Sequence, residues 1–265
     1  MSTSTALWDL GSCLLIGLAY LAGLVFVAGL AWRLYTYACT PMPWPAALTP
    51  APKSQGGALL RLAGNIALFP SLWRADKYLW LGAYLFHVSL LLILLRHLRY
   101  VTYPVPALAV SIAGMPMSTI GLWAGCVFGL ATLYLFVRRL ALPRPLYLSG
   151  WPDYVVLALV GAIAASGLLL RYWAHVYVVD VKAFMIGLLT LHPVPPPQHP
   201  LFLIHFLLAL ALLVYLPFSK LLHAGGVFFS PTLNQPWEVQ MPGKRYANPW
   251  DEKAGQPAGG PDGQV

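Results

Sequence analysis

The 265-residue chain is 59% apolar and only 9% charged, with a mean hydropathy of +0.69 and a formal net charge of +8. Soluble domains carry about 25% charged residues, so this chain cannot cover a water-facing surface and a soluble globular protein is excluded. Its apolar runs are long and do not alternate, which excludes a transmembrane barrel and predicts an all-α integral membrane protein.

Five membrane-spanning helices are predicted, over residues 7–35, 77–100, 118–137, 154–172 and 200–223. Pro200 suits a first helical turn. Pro217 is expected to bend the fifth helix, and Gly225-Gly226 to stop it. Leu10-Gly11-Ser12-Cys13 looks like a lipoprotein cleavage site, but Asp9 precedes it and no basic leader is present, so the first span is expected to be retained as an anchor. Cys13, Cys39 and Cys126 have no metal-ligand spacing, and no CxxCH is present for a covalent haem.

Between the first two spans lies a proline-rich stretch and then residues 58–72, expected to lie as an amphipathic helix on the inner interface. Between the fourth and fifth spans, residues 180–190 are expected to form a short helix over the outer face, followed by a proline run at 193–197. The bundle is assigned to 1–225 and a cytoplasmic C-terminal tail to 226–265, expected to be flexible from Asn248 onward.

Lysine and arginine placement sets the expected orientation. Arg33, Lys53, Arg61, Arg74, Lys77, Arg138, Arg139, Arg144, Lys220, Lys244, Arg245 and Lys253 would all lie on one side. Only Arg96, Arg99, Arg171 and Lys182 would lie on the other. The N-terminus is therefore expected outside and the C-terminus in the cytoplasm. The net positive charge reflects this bias and the lipid bilayer, and no nucleic-acid partner is inferred from it.

Ionisable groups inside a bilayer are costly, so each is a functional candidate. His87 and His97 lie in the second span, His205 and His223 in the fifth. Two imidazoles make an axial pair for a haem iron. Ten residues of helix rise about 15 Å and eighteen about 27 Å, and eighteen residues make about five whole turns, placing His205 and His223 on one face. Antiparallel helices then pair His97 with His205 near the outer surface and His87 with His223 near the inner one, one haem b for each pair. The unequal rises require tilt or a bend at Pro217. Each pair within one helix is too far apart to share a zinc ion. Proton relay, or histidines that only pack in a small transporter or scaffold, stands as the alternative class.

This layout, with His-x9-His in the second span and His-x17-His in the fifth, resembles the gamma subunits of respiratory nitrate reductases, a family of dihaem quinone-linked cytochromes b, over about residues 5–225. The segment His223 to Gln235, with Asn248-Pro249-Trp250, is similar to cytochrome b subunits of sulfite-reduction-associated (Dsr-type) membrane complexes. The resemblance implies that His97 and His205 ligate the outer haem, and His87 and His223 the inner one. It also implies electron exchange between menaquinone or ubiquinone and a cytoplasmic iron–sulfur subunit related to heterodisulfide reductases. A periplasmic multihaem cytochrome c and further membrane subunits are implied in fuller assemblies, in a bacterial cytoplasmic membrane. On this reading the chain is a redox subunit rather than a complete enzyme, with a nitrate reductase gamma subunit as the nearest alternative.

Arg96, Arg99 and Arg171 are candidates for haem propionates or a quinone, because guanidinium binds carboxylate in a bidentate way; snorkelling to headgroups is the alternative. Arg96 is favoured for a propionate because it adjoins His97. His175 and Lys182 are candidates for an outer quinone site. Arg74, Lys77 and the tail are candidates for docking a cytoplasmic partner.

Overall fold

Each predicted span forms a helix because a backbone in lipid must satisfy its own hydrogen bonds. The computed structural model describes residues 9–40, 52, 54–174 and 176–229. Among these, five helices are long and apolar enough to cross a membrane: α1 (Leu10–Cys39), α4 (Lys77–Val101), α6 (Met117–Ala141), α8 (Trp151–Tyr172) and the fifth, Pro200–Phe218. Shorter helices intervene: α2 (Gln55–Leu68), α3 (Pro70–Ala75), α5 (Ala107–Val110), α7 (Pro143–Leu148) and α9 (Val178–Leu189). The fifth span is α-helical over Pro200–Tyr215 (α10), and α11 (His223–Gly226) follows it. The two-residue strands β1 (Ser111–Ile112) and β2 (Met115–Pro116) pair antiparallel between α5 and α6.

The chain divides into two compact units. The first, residues 1–39 and 68–226, holds the spans. Within it α4 packs on α6, α6 on α8, α8 on α10, and α10 on α1. Small residues allow these close approaches, as expected between membrane helices: a Cβ on Gly82 would lie 2.5 Å from the Tyr134 ring, and one on Gly29 2.9 Å from Pro217. Leucines such as Leu24, Leu91 and Leu130 remain exposed, as lipid-facing residues should. The second unit comprises residues 40–67 and 227–265. Its described part is α2, preceded by Ser54, whose hydroxyl accepts the Gly57 N–H at 3.1 Å, and the 3-10 turn Val227–Phe229.

Two expectations are corrected. Residues 58–72 are not one helix: α2 and α3 are separated at Phe69, whose φ is 48°. Pro70 is the reason, since a proline disfavours α conformation in the residue before it. Nor is the fifth span continuous to His223. The α-helix ends at Tyr215, Leu216–Phe218 is 3-10, and Ser219 is extended at φ −106°, ψ 169°. A second 3-10 turn, Lys220–Leu222, leads into α11. Pro217 lacks the N–H that an α-helix needs there, and the Ser219 hydroxyl accepts the Leu221 N–H at 3.2 Å. Arg33 on α1 then donates to the Pro217 carbonyl at 3.3 Å. The proline breaks the helix instead of bending it.

The short helix expected at 180–190 is present as α9. It does more than cover a surface: Phe184 is fully buried among Leu15, Ile16, Leu188 and Phe202, joining α9 to the start of α1 and of α10.

Candidate histidine sites

Asp76 positions α4. Its carboxylate accepts the Leu79 N–H at 2.8 Å, capping the helix, and forms an ion pair with Arg138 on α6. α4 thereby holds His87 and His97 in register with the rest of the bundle. At the same end of the bundle Asp153, buried in the first turn of α8, accepts the Gly150 N–H at 3.1 Å and pairs with Lys220 at 2.9 Å. The Lys220 carbonyl in turn accepts from His223. The segment after the helix break is therefore tied both to α1, through Arg33, and to α8.

The structure brings the four histidines into the crossed pairs that antiparallel order predicts. The His87 and His223 rings lie 6.1 Å apart between centroids, with their planes at 85°. His97 and His205 are within electrostatic range of each other. The break at Ser219 resolves the unequal rises, because His223 is not carried along eighteen residues of straight helix.

Every one of the four imidazoles has its Nδ1 engaged. His87 donates Nδ1–H to the Ala83 carbonyl at 2.7 Å, His97 to Ile93 at 2.7 Å, and His223 to Lys220 at 2.9 Å. A carbonyl only accepts, so in these three rings Nδ1 carries a proton, and in the neutral tautomer that this selects Nε2 is the nitrogen able to ligate a metal. His205 Nδ1 lies 2.9 Å from the Ser166 hydroxyl on α8. Metal-ligating histidines nearly always donate their second ring N–H in this manner, which fixes the tautomer and raises ligand basicity.

The separation of the His87 and His223 rings also fits an iron. Two metal–imidazole bonds of about 2 Å, with each nitrogen about 1.1 Å from its ring centre, separate the centroids by about 6 Å. His97 and His223 keep exposed ring surface, while His87 and His205 are half-buried. Phe69 and Phe86 each stand 5.2 Å from the His87 ring and edge-on to it, walling that pair in apolar surface. The donor set is two pairs of imidazoles, a set suited to the axial positions of haem iron.

Around the second pair, Arg96, Arg99 and Arg171 cluster closely enough for their charges to interact. Arg96 spends Nη1 on two carbonyls of α6, Ser118 at 2.7 Å and Met117 at 3.2 Å. Arg99 lies over the Tyr100 ring at 5.9 Å, and Lys182 over Tyr103 at 5.1 Å. Lys77 lies over Trp73 at 5.5 Å. His199 caps α10, accepting the Leu201 N–H at 3.2 Å, and His192 bonds the Thr190 carbonyl. His175, Lys53, and the tail from Ser230, with the motif residues to Gln235 and at 248–250, lie outside the described residues.

Sequence reasoning did not single out Ser166, Gly121 or the Asp153–Lys220 link. A lone serine or aspartate in an otherwise apolar span was the available signal.

The nitrate reductase gamma subunit family matches residues 71–239, which include all four histidines. A protein of Archaeoglobus profundus named an Hdr-like menaquinol oxidoreductase cytochrome b-like subunit is 36% identical over 225 residues. That alignment covers 76% of this chain and 66% of the relative. The protein of the same name from Archaeoglobus fulgidus is 39% identical over 186 residues, covering 66% of this chain and 55% of the relative. The chain thus spans less than the full length of these relatives. With its five spans and this match, it is a multi-pass membrane protein belonging to the nitrate reductase gamma-like cytochrome b family.

Proposed function

We propose that the chain is a membrane electron-transfer subunit that holds two b haems, one between His97 and His205 and one between His87 and His223. The observation behind this reading is the shared state of the four imidazoles, each with Nδ1 tied off, with His87 beside His223 and His97 within electrostatic range of His205. When bound, each haem supplies one-electron redox chemistry. Two protein ligands per iron leave no position open, which suits electron transfer rather than oxygen activation. The residues of this chain hold and orient. Asp76 and Arg138 fix the register of α4, Arg33 and Lys220 fix the segment bearing His223, and Phe69 and Phe86 keep water from His87. Arg99 and Arg171 supply positive charge near the outer pair, for carboxylates or a quinone headgroup, with Lys182 nearby.

The electron partners follow from the family and the relatives' names. Menaquinol is the proposed donor or acceptor on the outer side. A cytoplasmic heterodisulfide-reductase-like iron–sulfur subunit of a Dsr-type sulfur-metabolising complex is the proposed partner within. The N-terminus would lie outside and the tail in the cytoplasm of a bacterial inner membrane, by the distribution of basic residues. The family match also favours a second reading, a gamma subunit of a respiratory nitrate reductase. Co-purification separates the two: an iron–sulfur disulfide-reductase-like partner supports the first, a molybdenum enzyme the second.

The test is a reduced-minus-oxidised spectrum with pyridine haemochrome quantitation, on the wild type and on alanine variants of His87, His97, His205 and His223. About two b haems per chain is expected, with one lost or altered in each variant. A colourless, folded protein overturns the proposal and leaves the transporter or scaffold reading.

A further inference from the structure

Three of the four histidines donate Nδ1–H to a carbonyl three or four residues back in their own segment: His87 to Ala83, His97 to Ile93 and His223 to Lys220. Such a partner moves with the ring and cannot be altered by substitution. His205 is different. Its Nδ1 is served by a side chain of another helix, the buried hydroxyl of Ser166 on α8 at 2.9 Å. Ser166 also lies 3.1 Å from the Ile163 carbonyl. The Ile163 carbonyl also lies within hydrogen-bonding reach of the His205 ring, so the Ser166 hydroxyl and this carbonyl together face Nδ1 from α8. With Nδ1–H directed at these two oxygens, Nε2 of the neutral ring is the lone pair.

The next residue completes the arrangement. A Cβ on Gly167 would lie 3.2 Å from Cε1 of His205, 3.7 Å from Nδ1 and 4.0 Å from Nε2. The ring thus rests against α8 at a place where a side chain is missing, with a hydroxyl on one flank.

Building on the dihaem reading, we infer that Ser166 and Gly167 form a seat on α8 that fixes the tautomer and turning angle of His205, with Ser166 as a positioning residue for the iron held by His97 and His205. A hydrogen-bonded imidazole is the stronger electron donor, so the seat favours the oxidised iron and lowers the potential of that haem alone. It also makes α8, which bears no ligand, the element that couples helix packing to the electronics of the outer pair.

The test is an optical redox titration of the full-length chain in membranes, produced with its partner subunits, for wild type and for Ser166→Ala, Ser166→Thr and Gly167→Ala. Ser166→Ala is expected to retain both haems and to shift one potential upward. The preference for the oxidised state should fall about fivefold, or about 40 mV at about 59 mV per tenfold for one electron. The haem that moves should be the one lost in His205→Ala. Ser166→Thr, which keeps the hydroxyl, should restore the wild-type value. Gly167→Ala should perturb the same haem and leave the other unchanged, and it decides the matter independently if Ser166→Ala does not accumulate. Unchanged potentials in Ser166→Ala or Gly167→Ala, equal shifts of both haems, or a threonine variant that behaves like alanine overturn the seat. A wild type without haem, or a His205→Ala variant that keeps both, overturns the dihaem reading itself.

Discussion

Gly121→Ala is the substitution for which the structure gives the clearest magnitude. The new Cβ would lie 2.4 Å from Arg96 Cδ and 3.0 Å from its Nη1, where ordinary contact begins at 3.4 Å. Cδ is in the middle of the side chain, so relief requires the arm to move by about 1 Å. The guanidinium is held by bonds of 2.7 Å and 3.2 Å to the Ser118 and Met117 carbonyls, and such a shift lengthens both. Bonds from a charged donor contribute about 1.5–3 kcal/mol each, and overpacking alone costs about 1–3 kcal/mol. Because the arm can relax in part, the expected loss is about 2–4 kcal/mol. In a chain of this size that lowers the unfolding midpoint by on the order of 5–10 °C, readable by thermal unfolding in detergent. The decisive comparison is a double-mutant cycle. In an Arg96→Ala background nothing remains for the new methyl to strike, and Gly121→Ala should be neutral within about 0.5 kcal/mol. An equal loss in both backgrounds would refute the idea that Gly121 exists to seat Arg96.

Pro217→Ala combined with Ser219→Ala removes both causes of the break. Eighteen residues of continuous helix would carry His223 about 27 Å from His205, against about 15 Å between His87 and His97, so the inner haem alone should be lost in the pyridine haemochrome assay. Two haems retained would show that the break does not place His223. Asp76→Ala removes a helix cap, about 1 kcal/mol, and strands Arg138, whose side chain is 15% exposed; a total of about 2–3 kcal/mol is expected from thermal unfolding. Asp76→Asn keeps the cap and should cost less, and equal losses would refute the division. Gly82→Ala would set a methyl 2.5 Å from the Tyr134 ring and cost about 1–3 kcal/mol, reduced in a Tyr134→Ala background.

The sequence by itself determined what depends on neighbours along the chain. The lengths of the apolar runs specified five spans. The sparseness of ionisable residues singled out His87, His97, His205 and His223, and helix rise with antiparallel order put His87 with His223 and His97 with His205. These features follow from local helix geometry and from the cost of polar groups in lipid, which act residue by residue. What depends on residues remote in sequence was decided only by the tertiary structure. Pro217 permits a bend or a break, and the Arg33 bond to its carbonyl and the Asp153 pair with Lys220 accompany the break. Arg96 permits a propionate or a backbone partner, and the gap left by Gly121 gives its Nη1 to the carbonyls of α6. Ser166 reads as one small polar residue in an apolar helix until folding sets it beside a histidine 39 positions away. In each case a contact across the bundle, invisible along the chain, goes with the arrangement observed.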